Sequence, residues 1–301
     1  MTRIARGGES TTRLQAYIEL TKLRISVMVL LTFVVTGILA ATTSGTPLQL
    51  VTLFWGVLGM SLVAFSGNAA NMYLERYSDF LMPRTSGRPL PSSRLSASEV
   101  AIFTAISLGV GLALLWQAVN WQTALCGAAN WILYALIYTP LKRRHWINTE
   151  VGAVAGAMPI LMGSLATTGS VGLIGWSFFG VLFFWQFPHF MAIAWKYRDQ
   201  YRAGGLQMLT VTEPTGKAAG RKSVITAVLL IAVSLIPIVL TSHWFPATLL
   251  VLLAVGLGGY YLRASWRFLR DRNDATAKHL LRSSLLYLPL YMIVLMLVCL
   301  T

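Results

Sequence analysis

Nine stretches of this chain are apolar over about 20 residues, the length that crosses the hydrocarbon core of a bilayer as a helix. They fall at 25–41, 48–70, 100–119, 121–138, 151–167, 171–194, 223–240, 245–262 and 284–300. Leu, Val, Ala, Gly and Phe fill them, and charge is almost absent. In lipid every backbone N–H and C=O must be satisfied within its own helix or in a closed barrel. The alternating ten-residue strands of a membrane barrel are missing. Only 11% of the chain is charged, against about 25% in soluble domains, which excludes a water-soluble globule. A hydrophobic share of 56% excludes a disordered chain. The expected fold is an all-α, polytopic membrane protein with nine transmembrane helices.

The basic residues sort to one side. With a cytoplasmic N-terminus, the inner segments are the arm and the links after spans two, four, six and eight. The arm holds Arg3, Arg6, Arg13, Lys22 and Arg24. The second link holds Arg76, Arg84, Arg88 and Arg94; the fourth holds Lys142, Arg143 and Arg144. The sixth holds Lys196, Arg198, Arg202, Lys217, Arg221 and Lys222, and the eighth Arg263, Arg267, Arg270, Arg272, Lys278 and Arg282. These are all 24 Lys and Arg of the chain. A wrong helix count would scramble that sorting, so count and orientation support each other. The net charge of +14 is therefore a topology signal rather than a nucleic-acid footprint. The C-terminus is expected outside, and membrane lipid is the expected surrounding.

The arm, 1–24, is expected to be cytoplasmic, followed by a single transmembrane domain, 25–301. No apolar core of a cleavable leader appears in the first 23 residues. Leu14, Tyr17, Ile18 and Thr21 recur at helical spacing, predicting an interfacial helix before the first span. Cys126 and Cys299 lack zinc spacing and are read as isolated core cysteines. The six basic residues of the eighth link are read as surface topology or contact with anionic lipid.

Two inner links are long, 71–97 and 196–222, and lie four spans apart. A shift of four preserves orientation. The spans are therefore expected as two four-helix repeats plus one extra helix around a central cavity, with both links at one mouth. In the first link Asn71, Glu75 and Asp79 are spaced four apart, which stacks three oxygen-bearing side chains on one helix face. Two carboxylates at that spacing repel, and a divalent cation between them removes the penalty. One or two carboxylates, with phosphate and water completing the shell, is how Mg²⁺ is held. Pro83 and Pro89 end the helix, and Arg84 and Arg88 beside them suit a phosphate. The competing reading is a solvated charge run that only anchors topology.

The second link begins Trp185-Gln186-Phe187-Pro188-His189-Phe190 and continues through Lys196, Asp199 and Tyr201. Gln186 and His189 need partners in apolar surroundings. Pro188 is expected to bend its helix. His189 is left open among general acid–base, metal ligand and packing residue. Asp199 offers one carboxylate, and Glu213 a more distant one. The fourth link places Lys142, Arg143 and Arg144 beside the same mouth. Acids, cations and an apolar cavity together point to a Mg²⁺-bound diphosphate carrying a lipid chain.

At these residues the chain resembles the protohaem IX farnesyltransferases (haem O synthases) of the intramembrane, UbiA-type prenyltransferase superfamily. Asn71, Glu75, Asp79, Met82, Arg84, Thr85, Arg88 and Pro89 match the family string N-x₃-E-x₃-D-x₂-M-x-R-T-x₂-R-P. Trp185-Gln186-x-Pro188-His189-Phe190 resembles its second hallmark and separates it from quinone-pathway enzymes. Tyr138-Thr139, Lys142-Arg143, Asn148 and Gly152 resemble the stretch between spans four and five, and Leu20-Thr21-Lys22-x-Arg24 the approach to span one. The likeness runs from about residue 17 to 300. Three departures stand out: Leu23 for Pro, Thr210 in a Met-Leu-Pro run, and Gln200 for the second of two neighbouring acids.

The resemblance implies that farnesyl diphosphate, protohaem IX and water give haem O and diphosphate, with Mg²⁺ as cofactor. It implies Asn71, Glu75, Asp79 and Asp199 as metal-holding residues. Arg84, Thr85, Arg88, Lys142, Arg143, Asn148, Gln186, Lys196 and Tyr201 become substrate-binding candidates. His189 joins the catalytic set, steering water or contacting the haem iron or a propionate. Trp131, Tyr134, Phe183, Phe184 and Trp185 are candidate cavity walls. A bacterial inner membrane is implied, with haem A synthase or terminal oxidase assembly downstream and no nucleic acid. The alternatives are prenyl transfer to an aromatic quinone precursor, and a non-catalytic haem or lipid transporter.

Overall fold

A computed structural model describes residues 12–241 and 244–298; Arg3, Arg6, His243 and Cys299 lie outside the described residues. Among the described residues nine helices are long and apolar enough to cross a membrane. The spans are α2 (Leu23–Ser44), α3 (Leu50–Leu81), α4 (Ala97–Ala118), a fourth described below, α7 (Asn148–Thr168), α8 (Leu173–Lys196), α11 (Lys217–Thr241), α12 (Trp244–Asp271) and α13 (Asp274–Val298). The fourth is composite: α5 (Trp121–Trp131), a π-helical stretch Ile132–Tyr138, and α6 (Thr139–Leu141). The chain is a multi-pass, all-helical membrane protein.

Three shorter helices lie at the polar end. α1 (Arg13–Thr21) precedes the first span, and α9 (Arg198–Ala203) and α10 (Leu209–Thr212) follow the sixth. α1 lies where the helical spacing of Leu14, Tyr17, Ile18 and Thr21 predicts a helix. Thr12 and Gln15 form a capping box at its start, Ala16 and Leu20 are buried, and Leu14 and Ile18 stay exposed. Lys22 joins α1 to α2 in the left-handed region, at φ 47°, a strained conformation for a side chain with a Cβ.

The spans carry large apolar side chains outward as well as inward. Phe54, Ile102, Ile106 and Trp116 are exposed, as expected where lipid is the solvent. Buried hydroxyls return to helix carbonyls, as Thr36 donates to Thr32 and Ser265 to Tyr261. Small residues let helices cross closely. A Cβ on Gly163 would lie 2.2 Å from the Phe33 carbonyl oxygen, which fixes the α2–α7 crossing.

Neighbour relations repeat. In the first half α2 packs on α3, α3 on α4, and α4 on α5; in the second α7 packs on α8, α8 on α11, and α11 on α12. α5 also meets α7 just as α12 meets α13, and α2 packs along α7 to join the halves. α13 closes against α8 and α2. This is the arrangement of two four-helix units plus one helix that the link spacing predicts.

Several boundaries differ from the hydropathy reading. α3 continues eleven residues past 70, so Asn71–Asp79 lies on a regular helix rather than in a link. α12 and α13 likewise absorb most of the eighth link, leaving only a short turn at Arg272 and Asn273. Hydropathy marks only the apolar part of a helix; the backbone continues as helix wherever its hydrogen bonds do. Pro188 sits inside α8 without ending it, as do Pro159, Pro237 and Pro289 in their helices.

Candidate active site at the polar end of the bundle

α3 carries Asn71, Glu75 and Asp79 down one face, and all three are buried. Each of the three side chains meets a cation from a different part of the chain. Lys22 Nζ donates to Asn71 Oδ1 at 2.7 Å. Lys142 Nζ donates to Glu75 Oε1 at 2.7 Å. Arg88 donates to Asp79 Oδ2 at 2.6 Å. The arginine arrives because the helix stops at Met82, before Pro83, and the chain doubles back. Thr85 locks that turn by donating its hydroxyl to the Asp79 carbonyl at 3.0 Å.

Asp79 Oδ1 is buried and has no hydrogen-bond partner. A buried, unsatisfied carboxylate oxygen is costly. Together with Glu75 and the Asn71 amide oxygen it makes a hard-oxygen set that fits Mg²⁺. Among the described residues, no three His, Cys, Asp or Glu side chains are gathered as a metal site. The remaining ligands would therefore come from phosphate and water.

A cavity of about 190 Å³ opens on this face. It is lined by four cations (Lys22, Arg84, Arg88 and Lys142) against two carboxylates, Glu75 and Asp79. The two lysines lie just outside the spans. Burial first, then the nearby Arg88 charge, pulls Lys22 down to about 7. For Lys142 burial pulls downward, but the Glu75 charge and hydrogen bond outweigh it, holding the lysine above its usual value. Tyr201, also lining the cavity, is pushed up chiefly by burial.

The second long link forms the facing wall. The Arg84 guanidinium lies over the Tyr197 ring at 4.7 Å and the Tyr201 ring at 5.7 Å. The Arg84 backbone N–H donates to Gln200 Oε1 at 3.4 Å. Met82 packs with Ala194, Leu206 and Met208 beneath them. The fourth link is tied in at its base, where Asn148 Nδ2 donates to the carbonyls of His145 and Gln207.

A second cavity, about 600 Å³, runs into the apolar interior between α2, α3, the fourth span, α7, α8 and α13. Met60, Val63, Leu182 and Leu288 are among its walls, with Gln186 and His189. Gln186 is anchored by donating to the carbonyls of Ala153 and Leu182. Tyr134, Tyr138, Phe190 and Ile193 line both cavities, so a polar chamber and an apolar one share a seam. The π-helical stretch lies at this seam, a location typical of such bulges.

The structure thus brings together Asn71, Glu75, Asp79, Arg84, Arg88, Lys142 and Tyr201 around the polar chamber. It does not bring Asp199. That side chain is 76% exposed and turned to Arg202, while Gln200, its neighbour on α9, faces Arg84. Of the four oxygen-bearing residues expected to meet there, the structure gathers only the three on α3. Gln186 and His189 line the apolar cavity instead, and four other candidates line neither. Lys196 is exposed over Tyr197, and Arg143 donates to Ser78. Thr85 and Asn148 hold the links together. Trp131, Tyr134 and Trp185 are cavity walls as expected, whereas Phe183 and Phe184 pack into the core. Glu213 accepts from the backbone of Thr215 and Ala218 and so caps the start of α11. Sequence reasoning took Lys22 for a topology charge, since nothing local shows that it reaches Asn71 across 49 positions.

Residues 29–292 match the UbiA prenyltransferase family. The chain belongs to that family. It is 41% identical to the protohaem IX farnesyltransferase of Rhodopirellula baltica, over 92% of this chain and 97% of the relative. It is 39% identical to that of Solibacter usitatus, over 91% and 95%. Among solved structures it resembles a digeranylgeranylglyceryl phosphate synthase, with TM-score 0.79, 17% identity, and 95% and 98% of the two chains covered. It also resembles a UbiA homologue from Archaeoglobus fulgidus bound to GPP and Mg²⁺, with TM-score 0.64, 16% identity, and 93% and 99% covered. At such low identity, the likeness to these structures shows a shared fold alone. The fold, the membrane spans and the prenyltransferase class are as the sequence motifs imply.

Proposed function

We propose that this chain joins the farnesyl group of farnesyl diphosphate to a vinyl group of protohaem IX, giving haem O and diphosphate. The observation that carries the reading is the shared seam between a cationic chamber and an apolar cavity. A diphosphate with an isoprenoid tail has that division of chemistry, and the curated relatives named above supply the acceptor.

The allylic C–O bond breaks with its electron pair going to the diphosphate, whose charge grows. Arg84, Arg88, Lys142 and Lys22 surround the chamber where that charge develops. Mg²⁺ on Asn71, Glu75 and Asp79 would supply Lewis-acid stabilisation of the leaving group. The farnesyl carbon then bonds to the terminal vinyl carbon. Tyr134, Tyr138 and Phe190 at the seam present ring faces that favour a passing cation and exclude bulk water. The positive charge left on the former vinyl carbon takes hydroxide from one water, whose proton leaves to solvent. The sorting of basic residues supports a bacterial inner-membrane location, with the polar chamber on the cytoplasmic side.

The test is the mass of haem extracted from membranes containing this chain after addition of farnesyl diphosphate and either protohaem or a phenolic quinone precursor. Haem heavier by one farnesyl group and one hydroxyl is the expected product. A prenylated phenol with unmodified haem would overturn the assignment.

A further inference from the structure

His189 lies one turn from the seam residue Ile193 and lines the apolar cavity. Its ring is held in two ways. It stacks on Trp185 at 4.9 Å between centroids and 20° between planes, and its Nδ1 lies 2.8 Å from Ser284 Oγ. Ser284 also receives the Trp185 indole, whose Nε1 donates to the Ser284 carbonyl at 2.9 Å. One residue of α13 therefore fixes both rings.

The hydroxyl of Ser284 has one proton, and it is already committed. Ser284 Oγ donates to the Leu281 carbonyl at 2.6 Å. The Ser284 oxygen can then only accept from the histidine, so Nδ1 carries the proton and Nε2 is bare. Among the described residues, no hydrogen bond reaches Nε2. A lone pair is left on a side chain that lines an apolar cavity.

Two uses of such a nitrogen compete. As a proton acceptor it would become an imidazolium, and that charge needs a carboxylate. None lines the apolar cavity, whose one charged wall residue is Arg24. Nor does a relay lead onward, since the Ser284 proton ends on a backbone carbonyl. A neutral imidazole with its other nitrogen anchored by hydrogen bonding is instead the form in which histidine binds a metal. We infer that His189 Nε2 is an axial ligand to the iron of the protohaem acceptor, and that Ser284 is its positioning residue. Ligation pins the macrocycle at its centre and fixes which edge meets the seam. This rests on the function proposed above and adds how the acceptor is selected: by its iron as well as its apolar ring.

The experiment uses the full chain in nanodiscs, titrated with ferric protohaem and, separately, with metal-free protoporphyrin IX. Absorbance and low-temperature electron paramagnetic resonance report the ligand. Wild type is expected to give a nitrogen-ligated spectrum and to prefer protohaem by on the order of 10- to 100-fold. His189→Ala should lose both, and free imidazole should restore the nitrogen-ligated spectrum. Ser284→Ala should keep histidine ligation but bind about tenfold more weakly, with a heterogeneous spectrum. Binding of farnesyl diphosphate, read in parallel, shows that each variant is folded. Should His189→Ala fail that control, the wild-type preference and Ser284→Ala decide alone. An unchanged spectrum in His189→Ala, or equal affinity of wild type for the metal-free ring, overturns the inference. If haem O is still formed by wild type in that case, the proposed function stands without it. A prenylated phenol and no haem product would instead remove the function itself.

Discussion

Toward the end of its second span the chain keeps Asn71, Glu75 and Asp79 buried on one helix face. After its sixth, the equivalent stretch leaves Asp199 in solvent and turns Gln200 toward Arg84. The two stretches occupy matching places in the two four-helix units. The first is a continuation of its span, so its acids are held by helix geometry and by cations from three directions. The second breaks at Tyr197 into the short helix α9, which sets the Tyr201 ring at the chamber and its acid in water. Shared topology has thus placed both segments at one mouth without giving them one task. The first concentrates buried oxygens, whereas the second supplies Tyr201 to the wall and holds Arg84 with Tyr197 and Gln200.

That contrast is open to direct attack. The largest effect belongs to the first segment. Asp79→Ala is expected to lower haem O formation by about 10²–10³-fold, read by mass spectrometry per amount of folded protein. A variant as active as wild type would remove the metal-holding role from α3. Next comes the seam. A Cβ at Gly152 would meet the Tyr138 ring at 2.6 Å and push it from its place over Lys142. Gly152→Ala should therefore slow transfer by about tenfold through misplacement of the donor, with thermal stability in detergent as the control.

A smaller effect sharpens the comparison from the other side. Gln200→Glu puts a carboxylate where the second segment already faces the mouth. It should lower the Mg²⁺ concentration for half-maximal rate by about threefold, a gain typical of a partly exposed charge interaction. A strong loss of activity would mean that this wall requires a neutral amide. The smallest change is expected from Asp199→Ala, less than about twofold in rate, because an exposed side chain paired only with Arg202 is removed. Abolished activity there would return Asp199 to the metal set and erase the difference between the segments.

Much of the site was readable before any coordinates, and the reason differs residue by residue. Asn71, Glu75, Asp79 and the two arginines announce themselves because helical spacing is a local property: four residues bring oxygens into one column whatever surrounds them. The arginines follow from the prolines that end the column. Lys22 and Asn148 carry no such mark, since what they touch lies 49 and 59 positions away. Asp199 misled for the same reason in reverse. An acid beside a tyrosine looks identical in sequence whether its helix turns it inward or outward.

By itself the sequence determined how many runs are long and apolar enough to cross a membrane, and that the basic and polar residues gather at one end of them. Those follow from transfer energies of apolar runs and basic residues, which depend on the membrane more than on neighbouring helices. Tertiary structure alone decided which cation meets which oxygen, that the polar and apolar cavities join at Tyr134, Tyr138, Phe190 and Ile193, and which acid is left outside. Those depend on how helices rotate and cross, set by side chains and small-residue contacts far apart in the chain.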